Sequence, residues 1–208
     1  MYRNGIKRLL AVILSLCGMI VLSPLLLILC LAIKIDSPGP IFFRQKRVGI
    51  HKQHFNILKF RTMRMDTPHD MPTHMLKDPD QYITRVGHFL RKTSLDELPQ
   101  LLNILKGDLS IVGPRPERPE IAAQYCEEMP EFALRLQAKA GLTGYAQVYG
   151  KYNTTPYDKL QMDLMYIAHP SLIEDLKIML ATVKILFMPE STEGVSEGQT
   201  TAMSGENH

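Results

Sequence analysis

Two adjacent carboxylates, Asp96 and Glu97, precede Pro99 and an amphipathic stretch that carries Leu98, Leu101, Leu102 and Leu105 on one face. Two arrangements suit them. Ser94-x-x-Glu97 matches a capping box, where acids complement the positive end of a helix. Pro99, however, fits best in a first helical turn. That moves the helix start towards Leu98 and leaves both carboxylates at or before the cap, free to project. Lys59, Arg61, Arg91, Lys92 and Arg115 all flank turns or element ends. Arg115 lies between Pro114 and Pro116, a rigid mount for a guanidinium that meets phosphate in a bidentate way.

Such a set suits a diphosphate substrate. A carboxylate that attacks phosphorus needs the charge on the phosphoryl oxygens screened, by cations and by a metal on a neighbouring carboxylate. Magnesium suits that role, because it takes few protein ligands and completes its shell with water and phosphate oxygens. An aspartate with an ordinary pKa of about 3.9 is ionised at neutral pH and ready to act as a nucleophile.

The elements around these residues begin with an apolar segment. From Leu9 to Ile33 no residue is charged, a run longer than the roughly 18 residues that mark a membrane-span candidate. Its length and the lack of a small-x-small site argue against a cleaved signal peptide. Ser23-Pro24 interrupts it near the middle, where a kink is expected. Both flanks are basic, with Arg3, Lys7 and Arg8 before and Lys34, Arg44, Lys46 and Arg47 after, which favours cytosolic placement of both ends. A kinked full span and a re-entrant helix are both open; in the second, the Ser23 hydroxyl would satisfy a carbonyl freed by Pro24.

Residues 36–40 end this helix. Ile41 to Arg47 and His54 to Phe60 read as a hairpin about Gly49, and Arg64 to Asp80 as a loop, where His69 and His74 show no metal-ligand spacing. Tyr82 to Lys92 is a helix or strand, Leu98 to Lys106 a helix stopped by Gly107, and Leu109 to Val112 a strand. Glu117 to Ala138 is expected to be one helix, Gly141-Leu142-Thr143-Gly144 a turn, and Ala146 to Tyr149 a strand. Helices follow over Pro156 to Ala168 and Leu172 to Phe187. The last carries an apolar stripe (Leu172, Leu176, Met179, Leu180, Val183, Leu186 and Phe187) that suits either core packing or a membrane surface. The fold class is α+β, helix-dominated with a small β-hairpin. The expected organisation is a membrane element over 1–35, a catalytic domain over 36–188 and a disordered tail over 189–208.

The 208-residue length gives one domain with a real core. A net charge of +3 argues against a nucleic-acid partner. Three cysteines, two inside the apolar run, form neither a disulfide framework nor a zinc pattern, which suits a reducing compartment.

Four segments then occur in order: Lys59-Phe60-Arg61-Thr62-Met63, Ser94 to Gln100, Gly107 to Pro116 and Gly141 to Gly144. With the Ser-Pro break, they closely resemble the bacterial sugar transferase family, the small monotopic phosphoglycosyl transferases, over residues 1 to 188. The resemblance implies a re-entrant membrane helix and membrane-associated amphipathic helices, with the catalytic domain on the cytoplasmic face of the bacterial inner membrane. It implies transfer of a phospho-sugar from a UDP-sugar to polyprenyl (undecaprenyl) phosphate, the first membrane step of exopolysaccharide or glycoconjugate synthesis. Asp96 would attack the β-phosphate, releasing UMP, and Glu97 would hold Mg2+. Lys59, Arg61, Arg91 and Arg115 match the family's basic positions. Ala140 stands where the family often has proline. Lys151 stands where it often has arginine, which keeps the charge but loses the planar fork. Asp163 and Asp175 fall in family-like helices, solvated or paired with lysines. The sugar, the pathway and association into a homo-oligomer stay open. A phosphatase that uses the same dyad, with water as acceptor, and a non-catalytic membrane adaptor are the competing classes.

Overall fold

The structure, a computed structural model, describes residues 2, 5–68, 78–150 and 154–186. Helices dominate, and two separate two-stranded sheets accompany them.

The apolar segment forms α1 (Ile6–Val21) and α2 (Ser23–Asp36), bent by 64° at the break. Pro24 removes the N–H that would have bonded Ile20, and the Ser23 hydroxyl donates to that carbonyl at 2.7 Å. Among the described residues no single helix is long and apolar enough to cross a membrane, although the bent pair together is. One face of each helix packs on the rest of the chain. On α1 that face is built of small residues. Ala11 joins the cluster of Ile57, Ile104 and Leu109, Ser15 is buried, and a Cβ added to Gly18 would lie 3.6 Å from a Leu101 methyl. Leu29 and Ile33 of α2 join Phe60 and Leu90 in a second cluster. The opposite faces, with Leu9, Leu16, Ile20, Leu27 and Leu31, are exposed.

The hairpin forms as expected, with β1 (Phe42–Val48) antiparallel to β2 (His54–Phe60). Next come α3 (Arg85–Lys92), capped by Thr84, and α4 (Gln100–Lys106), closed by left-handed Gly107. The expected strand near Leu109 is β3 (Ser110–Val112), and it does not stand alone. It pairs in parallel with β4 (Gly141–Thr143), where the sequence suggests only a turn. A Cβ on Gly141 would fall 2.1 Å from the Gly113 nitrogen, and one on Gly113 would fall 2.4 Å from the Lys139 carbonyl. These glycines therefore serve close backbone approach.

The single helix expected over Glu117 to Ala138 is two, α5 (Pro119–Glu128) and α6 (Phe132–Arg135). Pro130 forces Met129 into an extended conformation (φ −136°, ψ 90°) and ends the first. Ala146 to Tyr149, expected as a strand, belongs to the helix α7 (Tyr145–Tyr149). Its Tyr145 and Val148, three apart, pack on Tyr166 and Ile178, so tertiary contact overrides the β preference of Tyr and Val.

Helix α8 (Pro156–Ala168) starts with a capping box from Thr155 and Asp158. Helix α9 (Leu172–Leu186) turns Asp175 and Ile178 inward, while Ile173, Leu176, Leu180 and Val183 are exposed. Most of its apolar stripe thus faces away from the core. Phe187 and the tail lie outside the described residues.

Candidate active site

The carboxylates sit in a tight turn between α3 and α4. Ser94 takes a left-handed conformation (φ 55°), and Leu95–Glu97 form one 3-10 turn. Leu95 and Leu98 pack into the cluster of Phe60 and Leu90, anchoring the turn from both sides of the dyad. The capping box does not form. The Ser94 side chain makes no cap bond, and Glu97 instead receives Lys59 Nζ at 2.7 Å and Arg115 at 3.0 Å, both on Oε1. Lys59 Nζ is also 3.6 Å from Asp96 Oδ2.

These groups meet because β2 is fastened to α4. Asn103 accepts from Leu58 N at 2.9 Å and donates to the Asn56 carbonyl at 2.8 Å, which sets Lys59 opposite Glu97. Its only trace in the sequence is one amide among the leucines of an amphipathic helix. Arg115 is held through its neighbours. Arg47 donates to the Pro116 carbonyl at 3.1 Å, Val48 N to that of Glu117 at 2.9 Å, and Gly141 N to that of Pro114 at 2.9 Å.

The two carboxylates differ electrostatically. Burial raises Asp96 above the usual aspartate range and Glu97 adds to this, against Lys59 and Arg91. Burial also works to raise Glu97, but Arg115 and Lys59 outweigh it and hold that carboxyl down at about 2. Adjacent acids in one turn are thereby separated, one suited to a fixed charge and the other to reaction.

A cleft of about 370 Å3 opens beside Asp96, lined by Lys59, Arg61, Arg91, Gln45, Arg64 and Arg118 among others, a size that suits a small-molecule substrate. Arg91 Nε donates to the Thr62 hydroxyl at 3.0 Å, which aims its guanidinium along this wall. Arg61 is buried and donates to the Ser37 and Pro38 carbonyls, so it ties the exit of α2 to β2. Lys151 lies outside the described residues. The sequence does not single out Arg64 or Arg118; both belong to segments that read as loop or helix start, with no local signal of a shared cleft. Among the described residues no group of three or more His, Cys, Asp or Glu gathers as a metal cage.

For two buried acids, Asp175 and Asp163, the sequence suggests solvation or lysine partners. Asp175 does meet Lys7, at 3.2 Å, and also accepts from the Tyr2 and Tyr166 hydroxyls, joining α9 to the start of α1. Asp163 pairs with an arginine instead: Arg135 Nε donates to it at 2.6 Å.

A half-buried carboxylate thus sits beside converging cations at the wall of a cleft of small-molecule size. The bacterial sugar transferase family matches residues 2–189, and the chain belongs to that family. A UDP-glucose:undecaprenyl-phosphate glucose-1-phosphate transferase of Caulobacter vibrioides is 44% identical over 89% of this chain and 71% of its own length. A protein of the same name from Xanthomonas campestris is 41% identical over 84% of this chain but 37% of its own length. The exopolysaccharide production protein PSS of Rhizobium leguminosarum is 38% identical over 86% of this chain and 93% of its own length.

Proposed function

We propose that this protein transfers a phospho-sugar from a UDP-sugar to undecaprenyl phosphate in two displacements at Asp96. An Asp96 oxygen bonds to the β-phosphorus, and the bond from that phosphorus to the bridging oxygen breaks, so UMP leaves with the electron pair. An oxygen of the lipid phosphate then attacks the same phosphorus. The Asp96 carboxylate is released and a polyprenyl diphosphate-sugar leaves. The observation that carries this reading is Asp96 itself, half-buried on a fixed turn between Lys59 and Arg91, at the cleft wall. Lys59, Arg91 and Arg115 offset phosphate charge without moving during the reaction. Purified protein supplied with a panel of UDP-sugars and undecaprenyl phosphate tests the reading; UMP release that needs one UDP-sugar, and continues past the first turnover only when the lipid is present, is the expected result.

The donor set suits magnesium. Both cations meet Glu97 through Oε1, which leaves Oε2 as a ligand beside Asp96, and the ion needs few protein ligands. Glu97 would hold it, and when bound it screens the diphosphate oxygens. Excess chelator is expected to stop turnover, and Glu97→Gln to lower kcat on the order of 10²-fold or more. Full activity in chelator would refute the metal role.

In this reading α1 and α2 dip into one leaflet of the bacterial inner membrane, and the catalytic unit rests on its cytoplasmic face. The exposed apolar faces, the Ser23 bond at the bend and the outward stripe of α9 support it. Cysteines placed at Arg3 and Lys34, in a chain lacking Cys17, Cys30 and Cys126, are both expected to resist periplasmic reagents in sealed cells. Labelling at Arg3 alone would mean a full span. Pro24→Ala is expected to move a fraction of molecules towards that state. The reaction would begin exopolysaccharide or glycoconjugate assembly.

A further inference from the structure

A second pocket, of about 440 Å3, lies at the foot of α1 and shares no lining residue with the Asp96 cleft. Lys7 and Arg8 of α1, His51 at the hairpin tip, Lys139 and Tyr166 line it, and no carboxylate does. The balance of charge there is unusual. Lys7 is answered by Asp175 at 3.2 Å. Arg8 donates to the carbonyls of Ile104 and Leu105, and Lys139 to that of Gly107 at 2.8 Å. Those carbonyls belong to the last turn of α4 and its Gly107 cap, and carry only partial negative charge. Asp108, the acid nearest in sequence to these carbonyls, pairs with Lys106 at 3.2 Å. Arg8 and Lys139 thus meet partial charges on carbonyls, and Asp108 reaches Lys139 only at longer range. Burial pushes the Lys139 ammonium down, Arg8 adds to this, and Asp108 offsets only part.

The pocket also adjoins an apolar surface. Lys7 and Arg8 sit on the first turns of α1, where Ile6, Leu9 and Ile13 are exposed. A ligand with a phosphate at one end and hydrocarbon at the other matches both features: oxygens against Arg8 and Lys139, chains along α1.

We propose that this pocket binds a phosphate group, that of an anionic phospholipid, at a site separate from the phosphates handled at Asp96. The proposal rests on the membrane reading above, and the test separates the two. Full-length protein is floated with phosphatidylcholine vesicles, which reports the membrane reading alone. Retention of phosphatidylglycerol over phosphatidylcholine is then measured by native mass spectrometry after release from vesicles. Arg8 is left intact because it closes α4. Lys139→Gln is expected to weaken phosphatidylglycerol retention about fivefold, Lys139→Arg to preserve it, and Lys159→Gln, on exposed α8 surface, to leave it unchanged. Isothermal titration of the detergent-solubilised protein with inorganic phosphate identifies the other source. Binding that Lys139→Gln weakens, without lipid preference, would support a phosphate site filled from solution. Flotation with neutral vesicles, combined with equal phosphatidylglycerol and phosphate binding in wild type and Lys139→Gln, overturns the pocket and leaves the membrane reading standing.

Discussion

Asp96→Asn protein is expected to release no burst of UMP when mixed with UDP-sugar alone, and to lose turnover on the order of 10⁴-fold or more, the scale for removal of a nucleophile. The acceptor phosphate is already an anion at neutral pH, so a general base at Asp96 would contribute little. A nucleophile is the role that uses its charge. Intact-protein mass spectrometry should show a phospho-sugar adduct on the wild type and none on the variant, and initial rates should follow a ping-pong pattern. Intersecting rate patterns together with no adduct under rapid quench would instead mean direct transfer in a ternary complex. Stability should move the other way. Burial already penalises the charged Asp96 side chain, so the neutral amide should raise the unfolding temperature by a few degrees. For the same reason the acid limb of the rate profile should lie above the ordinary aspartate value of 3.8. Glu97 has the opposite sign. Its carboxyl is depressed to about 2 from 4.5, so its contribution to stability is complete above pH 4.5 and is lost as pH falls towards 2.

The second large effect is expected far from the dyad in sequence. Arg135 and Asp163 are both buried, with side chains 9% and 2% exposed. Burial raises Asp163 even though Arg135 and a backbone N–H from Ala146 oppose it, so the pair is a costly one that its geometry sustains. Asp163→Asn leaves a buried guanidinium without its partner and should cost about 3–5 kcal/mol. Arg135 also lies 3.8 Å from Glu117, two residues beyond Arg115. The variant should therefore weaken UDP-sugar binding as well as stability. A double replacement, Arg135→Met with Asp163→Leu, is expected to recover most of the stability, measured by urea unfolding, but not the binding. A variant as stable as wild type would show that Arg135 keeps its charge satisfied elsewhere.

Much of this molecule was legible in its residues. Pro24 within an apolar run dictates a bend, because the lost N–H is a local fact of the chain, and Ser23 supplies its remedy. Runs of aromatic and β-branched residues on either side of Gly49 specify the hairpin, and Pro99 shifts the start of α4 beyond Glu97, so the dyad projects. Pro130 carried a signal too, a break between α5 and α6 that helical periodicity masked. Other features follow no local rule. Gly141 to Thr143 became a strand only because β3 lies alongside, where a Cβ on either facing glycine would collide. Tyr145 to Tyr149 became helix because two of its side chains found Tyr166 and Ile178. Arg61 and Arg91 read alike in sequence, yet one ties α2 to β2 and the other reaches Thr62 at the cleft. The partners of Asp163, Asp175 and Arg115 come from segments distant along the chain. Backbone geometry depends on near neighbours and is written in the sequence, whereas the partner a buried charge finds depends on which distant elements the packed core brings within 3–4 Å.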